Sequence, residues 1–200
     1  RFDVFADLSG RVNTGEWIEG AVNSLTMDGK VVAVPEQFSP NVIFVNTGLW
    51  EEAGVELPPD DWTWEDLTDI GRKLARDIDG DGVIDIFAIN PIYGRIDNTE
   101  AVLKNYGAEI MNKEQTRWTI NSPEAEQAYQ LIVDWMQEYN IVPRPTQDTE
   151  SDLWAMERQA MRWDNRYMVP TYMKYDWTED RMSMIVAAKG PANHHNRTSM

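Results

Sequence analysis

The chain has 200 residues, 42% apolar and 26% charged, a balance that lets a globular chain bury roughly 70% of its unfolded surface. Its 34 acidic and 18 basic residues give a net charge of −16, which argues against a phosphate-backbone binder built on clustered Lys and Arg. No apolar run approaches the roughly 18 residues of a membrane-spanning helix, and the lack of cysteine excludes disulfides and thiolate metal sites.

Phe2–Leu8 is a short apolar run that finishes a strand or a loop, and Trp17, Ile18, Ala21 and Val22 form a weak helical face. Asp28-Gly29 makes a turn into the β-branched strand Lys30–Val34, which Pro35 closes. After the polar patch Glu36–Asn41, the run Val42–Val45 lacks polar alternation and reads as a strand buried on both faces. Asn46 or Thr47 caps a short helix, Leu49–Ala53, which Gly54 stops. Thr63 and Asp66 have capping-box spacing before a helix over Trp64–Ala75, with Trp64, Leu67, Ile70 and Leu74 on one face.

The acidic loop Asp77–Asp85 follows, then a strand-like run over Ile84–Ile89. A helix starts at Asn98 and stops at Gly107; Ala108–Met111 and Trp118–Ile120 read as a hairpin. Ser122-Pro123-Glu124 opens an amphipathic helix carrying Ala125, Ala128, Tyr129, Ile132, Trp135, Met136 and Tyr139 on its core face. Ala160–Trp163 is a short strand, Arg166–Lys174 is partly helical with Pro170 interrupting it, and Met182–Ala188 is a second buried strand. Strands alternating with helices make an α/β fold.

The order of Asp28-Gly29-Lys30, Pro35, Val42–Asn46, Ala53-Gly54 and Thr63-Trp64-Glu65-Asp66-Leu67 resembles the extracellular solute-binding proteins of ABC importers, in their sugar-binding family. Gly107-Ala108-Glu109-Ile110 and Ser122-Pro123-Glu124-Ala125 extend the match. The family's small-residue turn is replaced by Glu157-Arg158-Gln159-Ala160-Met161, and Tyr167 stands where an aromatic, usually Trp, is expected. The resemblance implies a two-lobed periplasmic-binding-protein type II-like fold. Residues 1–41 would be a remnant of the first lobe, 42–187 the second lobe with hinge strands at both ends, and 188–200 a return to the first lobe. The chain thus reads as an internal fragment of a longer protein; its opening residues lack the charged leader and apolar core of a signal peptide.

The resemblance also implies a substrate-binding subunit, not an enzyme, that captures a mono- or oligosaccharide in an interlobe cleft and delivers it to the permease. Such a protein sits outside the cytoplasm, in the periplasm or as a cell-surface lipoprotein, and is monomeric at full length. Sugars offer C–H faces to aromatic rings and hydroxyls to amides and carboxylates. Gln37, Phe38, Ser39, Asn41, Tyr93, Trp163, Asp164, Asn165, Arg166 and Tyr167 are the residues that the resemblance turns toward the cleft. A solvated loop position is the competing reading for each.

Asp77, Asp79, Asp81, the Val83 carbonyl and Asp85 occupy positions 1, 3, 5, 7 and 9 of a calcium loop. Position 12, where the bidentate acid belongs, is Ala88. The loop reads as a structural calcium site, against an acidic glycine-rich turn that needs no ion. His194-His195 reads as solvent-exposed, and no catalytic cofactor is implied. A glycoside hydrolase using two of the 34 acids, or a calcium-stabilised carbohydrate-binding or adhesion module, is the alternative.

Overall fold

A computed structural model describes residues 5–36, 39–92, 96–114, 116–145 and 152–192. The chain forms two compact units, Arg1–Ser39 with Thr198–Met200, and Pro40–Arg197.

In the smaller unit, helix α1 (Glu19–Ser24) leads into a two-stranded ribbon, β1 (Thr26–Met27) and β2 (Lys30–Val31). The turn between them needs positive φ twice, and Asp28 and Gly29 supply it at 49° and 77°. The strand expected over residues 30–34 ends at Val31. Val32 bonds to the Leu25 carbonyl instead, and Val34 is exposed.

The larger unit is built on a four-stranded sheet ordered β4-β5-β3-β6. Central β3 (Asn41–Asn46) pairs antiparallel with β5 (Gln159–Asn165) and with β6 (Met182–Ile185), while β4 (Phe87–Ile89) runs parallel to β5. Ile43, Phe44 and Val45 are wholly buried, as an apolar run without alternation requires. Their side chains divide between two cores. Ile43 and Val45 face a large one with Met161 and Trp163; Phe44 faces a small aromatic one with Trp154, Tyr172 and Trp177.

Helices cover the sheet. Asn46 caps α2 (Thr47–Glu52), and Thr63 caps α3 (Trp64–Leu74) in a full capping box: Asp66 N–H donates to Thr63 Oγ1 and Thr63 N–H to Asp66 Oδ2. Gly71 lets α3 approach its neighbours; a Cβ there would meet Ile141 Cδ1 at 2.9 Å. Helix α4 (Ile96–Asn105) starts two residues before the expected Asn98, and Ser122 caps α5 (Pro123–Gln137).

Four expectations need correction. Strand β6 is an edge strand rather than a buried one; Met184 on it and Val186 just beyond it are exposed. The hairpin near residues 108–120 is shorter than expected: Met111 bridges Trp118, flanked by Asn112 N–H to the Arg117 carbonyl and Thr119 N–H to the Ile110 carbonyl, with the Trp118 ring 70% exposed. Tyr129, expected in the core, is exposed on α5. Pro170 does not break its segment. It stands in the first turn of α6 (Val169–Tyr172), where its missing N–H has no helical partner to lose. Helix α7 (Thr178–Arg181) follows. After β6, Lys189 N–H donates to the Trp62 carbonyl, and Ala192 N–H to that of Asn105.

Candidate functional site

Three strand ends meet at one edge of this sheet. Parallel β4 and β5 run toward it, and antiparallel β3 begins there, with Asn41 opposite Asn165. Carboxyl ends of sheet strands are where open α/β sheets present ligands.

The edge is fastened by amides. Strand β4 ends at Ile89, but the Asn90 side chain continues its pairing: Trp163 N–H donates to Asn90 Oδ1 at 2.7 Å, and Asn90 Nδ2 donates to the Trp163 carbonyl at 3.3 Å. Asn98, on the first turn of α4 and fully buried, donates to that same carbonyl at 3.4 Å. The Asn41 and Asn98 side-chain oxygens are buried with no hydrogen-bond partner among the described residues. Beyond β5 the backbone turns at once: Arg166 N–H donates to the Pro40 carbonyl, and a 3-10 turn runs over Arg166–Met168. This turn leaves Arg166 exposed and the Tyr167 ring 49% exposed, while Asn165 is 2% exposed. Asn41, Asn165, Arg166 and Tyr167 are therefore brought to one end of β3 and β5.

Two other expected contacts do not face a ligand. Trp163 is fully buried, with its ring tilted against Trp64 at 5.3 Å, and Trp64 in turn against Trp135 at 5.8 Å. Alternation along β5 sends Trp163 and Met161 into the large core. Asp164 points to the opposite face and is 3% exposed. Its Oδ1 accepts the Asn165 N–H at 2.8 Å, and its Oδ2 accepts the Tyr172 hydroxyl at 2.7 Å. Burial, opposed by Arg162 and reinforced by the bond to Asp164, pushes the Tyr172 phenol far above its ordinary range. It is a proton donor at any physiological pH. Ser39 is buried at the end of the smaller unit. Gln37, Phe38, Tyr93 and the histidine pair lie outside the described residues.

The resemblance turns the stretch Asn90–Tyr93 toward the cleft, but the pairing role of Asn90 and the roles of Asn98 and Tyr172 were not foreseen. Asn90, directly after the apolar run 86–89, was the available signal: an amide there can stand in for a strand residue.

The acidic loop is a distinct place. Asp77 Oδ1 and Oδ2 accept the N–H groups of Gly80 and Gly82 at 2.7 and 2.8 Å, and these bonds hold its carboxyl below the ordinary carboxylate range. Gly80 and Gly82 adopt φ of 79° and 87°, which glycine tolerates without strain. Asp85 Oδ2 accepts from Ile78 N–H, and its Oδ1 lies 3.8 Å from Arg158. Asp77, Asp79 and Asp85 each offer an oxygen within 4.8 Å of the others. Oxygens opposed across calcium at about 2.4 Å each lie about that far apart, so the three fit a shared cation. Asp81, expected as a fourth ligand, stands outside this group, its Oδ1 accepting the Val83 N–H at 2.8 Å.

The sequence profile of bacterial extracellular solute-binding proteins matches residues 2–173. The chain belongs to that family. No curated protein sequence matches it. Among solved structures, the solute-binding chain is similar to an ABC substrate-binding protein from Listeria monocytogenes in complex with cycloalternan. That match has 24% identity and a TM-score of 0.78, over 94% of this chain and 49% of that one. Maltose-bound MalE3 of T. maritima aligns at 20% identity and TM-score 0.72, over 98% of this chain and 50% of that one. The GacH receptor of Streptomyces glaucescens, solved unliganded and with acarbose, aligns at 16% and 0.74, over 97% and 49%. These likenesses give the fold, a two-lobed binding-protein architecture of which the chain spans about half the length.

Proposed function

We propose that the chain is the ligand-contacting part of a substrate-binding subunit of an ABC importer, holding a carbohydrate and handing it to the membrane permease without catalysis. The family supports a binding protein, and the similar structures include proteins in complex with cycloalternan, maltose and acarbose, which weigh against a hydrolase. The supporting observation is the exposed Tyr167 ring beside Asn41, Asn165 and Arg166 at the ligand-presenting edge of the sheet. A half-exposed ring offers a stacking face for sugar C–H groups; the amides and guanidinium offer directional bonds to hydroxyls. Gln37, Phe38, Ser39 and Tyr93 complete the proposed contacts by resemblance. A family of extracellular binding proteins places the protein outside the cytoplasm, and among the described residues no helix is long and apolar enough to cross a membrane.

A second proposal concerns the acidic loop. Asp77, Asp79 and Asp85 hold a structural calcium that ties α3 to β4, supported by their converging oxygens. When bound, the ion would neutralise carboxylates that now rely on backbone N–H groups and Arg158.

The sugar reading is tested by calorimetric titration of a two-lobed protein carrying this chain, with maltose, maltotriose, cycloalternan, acarbose and tagatose. At least one should bind, and Tyr167→Ala should weaken it. No heat from any of the five, in protein shown to be folded, would overturn the reading.

A further inference from the structure

Asp164 joins the exposed turn after β5 to the small aromatic core. Its Oδ1 receives the backbone N–H of Asn165, the residue that begins the exposed turn. Its Oδ2 receives the hydroxyl of Tyr172, which lies on α6. Arg162 Nε sits 3.7 Å from that same oxygen, while its Nη1 bonds Asp152 Oδ1 at 3.0 Å. The guanidinium lies 5.3 Å over the Tyr172 ring, and Tyr175 donates to the other Asp152 oxygen at 2.9 Å. The Tyr172 ring is locked edge-on against Phe44 at 5.0 Å and tilted on Trp154 at 5.9 Å.

A carboxylate taken out of water is costly unless charge and hydrogen bonds compensate it. In a structural core that burden has no evident gain. Here the carboxylate sits one residue before the turn, and one of its oxygens fixes the first N–H of that turn. Two anchors, the Asp164 bond to Asn165 N–H and the Pro40 carbonyl bond to Arg166 N–H, thus set where the Tyr167 ring points.

We propose that Tyr172, acting through Asp164 with Arg162 as its countercharge, is a positioning residue that holds the Asn165–Tyr167 turn in its ligand-binding pose. The role rests on the reading of Tyr167 and Asn165 as sugar contacts. Tyr172 itself is 1% exposed, so it acts on the turn only through Asp164.

The test is Tyr172→Phe in the two-lobed protein, titrated with whichever of maltose, maltotriose, cycloalternan, acarbose and tagatose binds it, at a temperature well below the melting transition. Losing one hydrogen bond to a buried charge should weaken binding roughly 3- to 30-fold. The Asn165 backbone amide resonance should shift and its hydrogen exchange accelerate. Trp177→Phe is the control, because Trp177 packs edge-on against Trp154 at 4.9 Å in the same aromatic cluster without touching Asp164 in any hydrogen bond. It should lower the melting temperature and leave affinity and the Asn165 amide unchanged. Unchanged affinity in Tyr172→Phe, with binding lost in Tyr167→Ala, overturns the positioning role and leaves the site in place. Equal losses in Tyr172→Phe and Trp177→Phe also overturn it, since generic loosening would then suffice. If Tyr167→Ala binds normally, the site reading falls, and the positioning role with it.

Discussion

Trp163 and Tyr167 stand four residues apart at the end of one strand, one wholly buried and the other half exposed. Trp163 is fully buried between the sheet and α3. Replacing it with alanine removes a large ring from a close-packed core, which costs about 3–5 kcal/mol through lost burial and the cavity left behind. At about 2–4 °C per kcal/mol for a domain of this size, the melting temperature should fall by roughly 6–20 °C. Tyr167 keeps 49% of its surface in water, so Tyr167→Ala should change stability by less than about 1 kcal/mol. If a sugar covers the ring, the same change should weaken binding by about 1–3 kcal/mol, the worth of burying a large side chain. Thermal melts and calorimetric titrations of both variants, with affinity referred to the folded fraction, give a two-by-two comparison. A Trp163→Ala protein that melts within about 2 °C of the parent would refute the core assignment. So would a Trp163→Ala protein that keeps its stability but loses affinity.

Calcium should raise the melting temperature relative to chelator, by mass action on the folded state, and Asp79→Asn should abolish the difference while its side-chain oxygen still accepts the Asp81 N–H; identical melts in both conditions would sink the site. Asp77 titrates below its ordinary range when folded, so its contribution is present above the unfolded value of about 3.9 and is lost as pH falls through the lower folded value. Asp77→Asn should therefore flatten the acid limb of a stability–pH curve below about pH 4, and an unchanged limb would count against the backbone bonds. Glu157 holds a positive φ of 56° while its carboxylate makes a two-pronged pair with Arg181 at 2.6 and 2.9 Å. Glu157→Gly relieves the backbone as it loses the half-exposed pair, and urea unfolding should find it within about 1 kcal/mol of the parent. Glu157→Ala keeps the strain and should be the less stable of the two; the reverse order would refute the argument.

The parts of this fold written in local chemistry could be read from the chain. Thr63 with Asp66, and Ser122 with Pro123, mark helix starts because a cap and its partner lie within one turn. The unbroken run in β3 announced burial on both faces for the same reason. What depended on partners far along the chain was not legible. Whether β6 lies at an edge is decided by which strands flank it, and Met184 alone does not say so. The expectation for Trp163 failed although a local clue was present. Met161 and Trp163 alternate with Arg162 and Asp164, so the apolar pair belongs on one face and the charged pair on the other. The bond from Tyr172 to Asp164 had no such clue, because it needs α6 laid back on β5. The turn after β5 could be expected from its neighbours in sequence, while the hydrogen bonds behind it became visible only in three dimensions.

Strand β3 and strand β6 lie side by side and run in opposite directions, Ile43 opposite Ile185, at the start of one and the end of the other. The backbone therefore enters this sheet and leaves it through neighbouring positions at a single edge. Their pairing closes the whole stretch from Ile43 to Ile185 into one long loop, and the closure entropy of a loop that long grows only slowly with further length. The same adjacency makes the pair a mechanical fuse. Force applied at Ile43 and Ile185 themselves would peel β3 and β6 apart one backbone bond at a time.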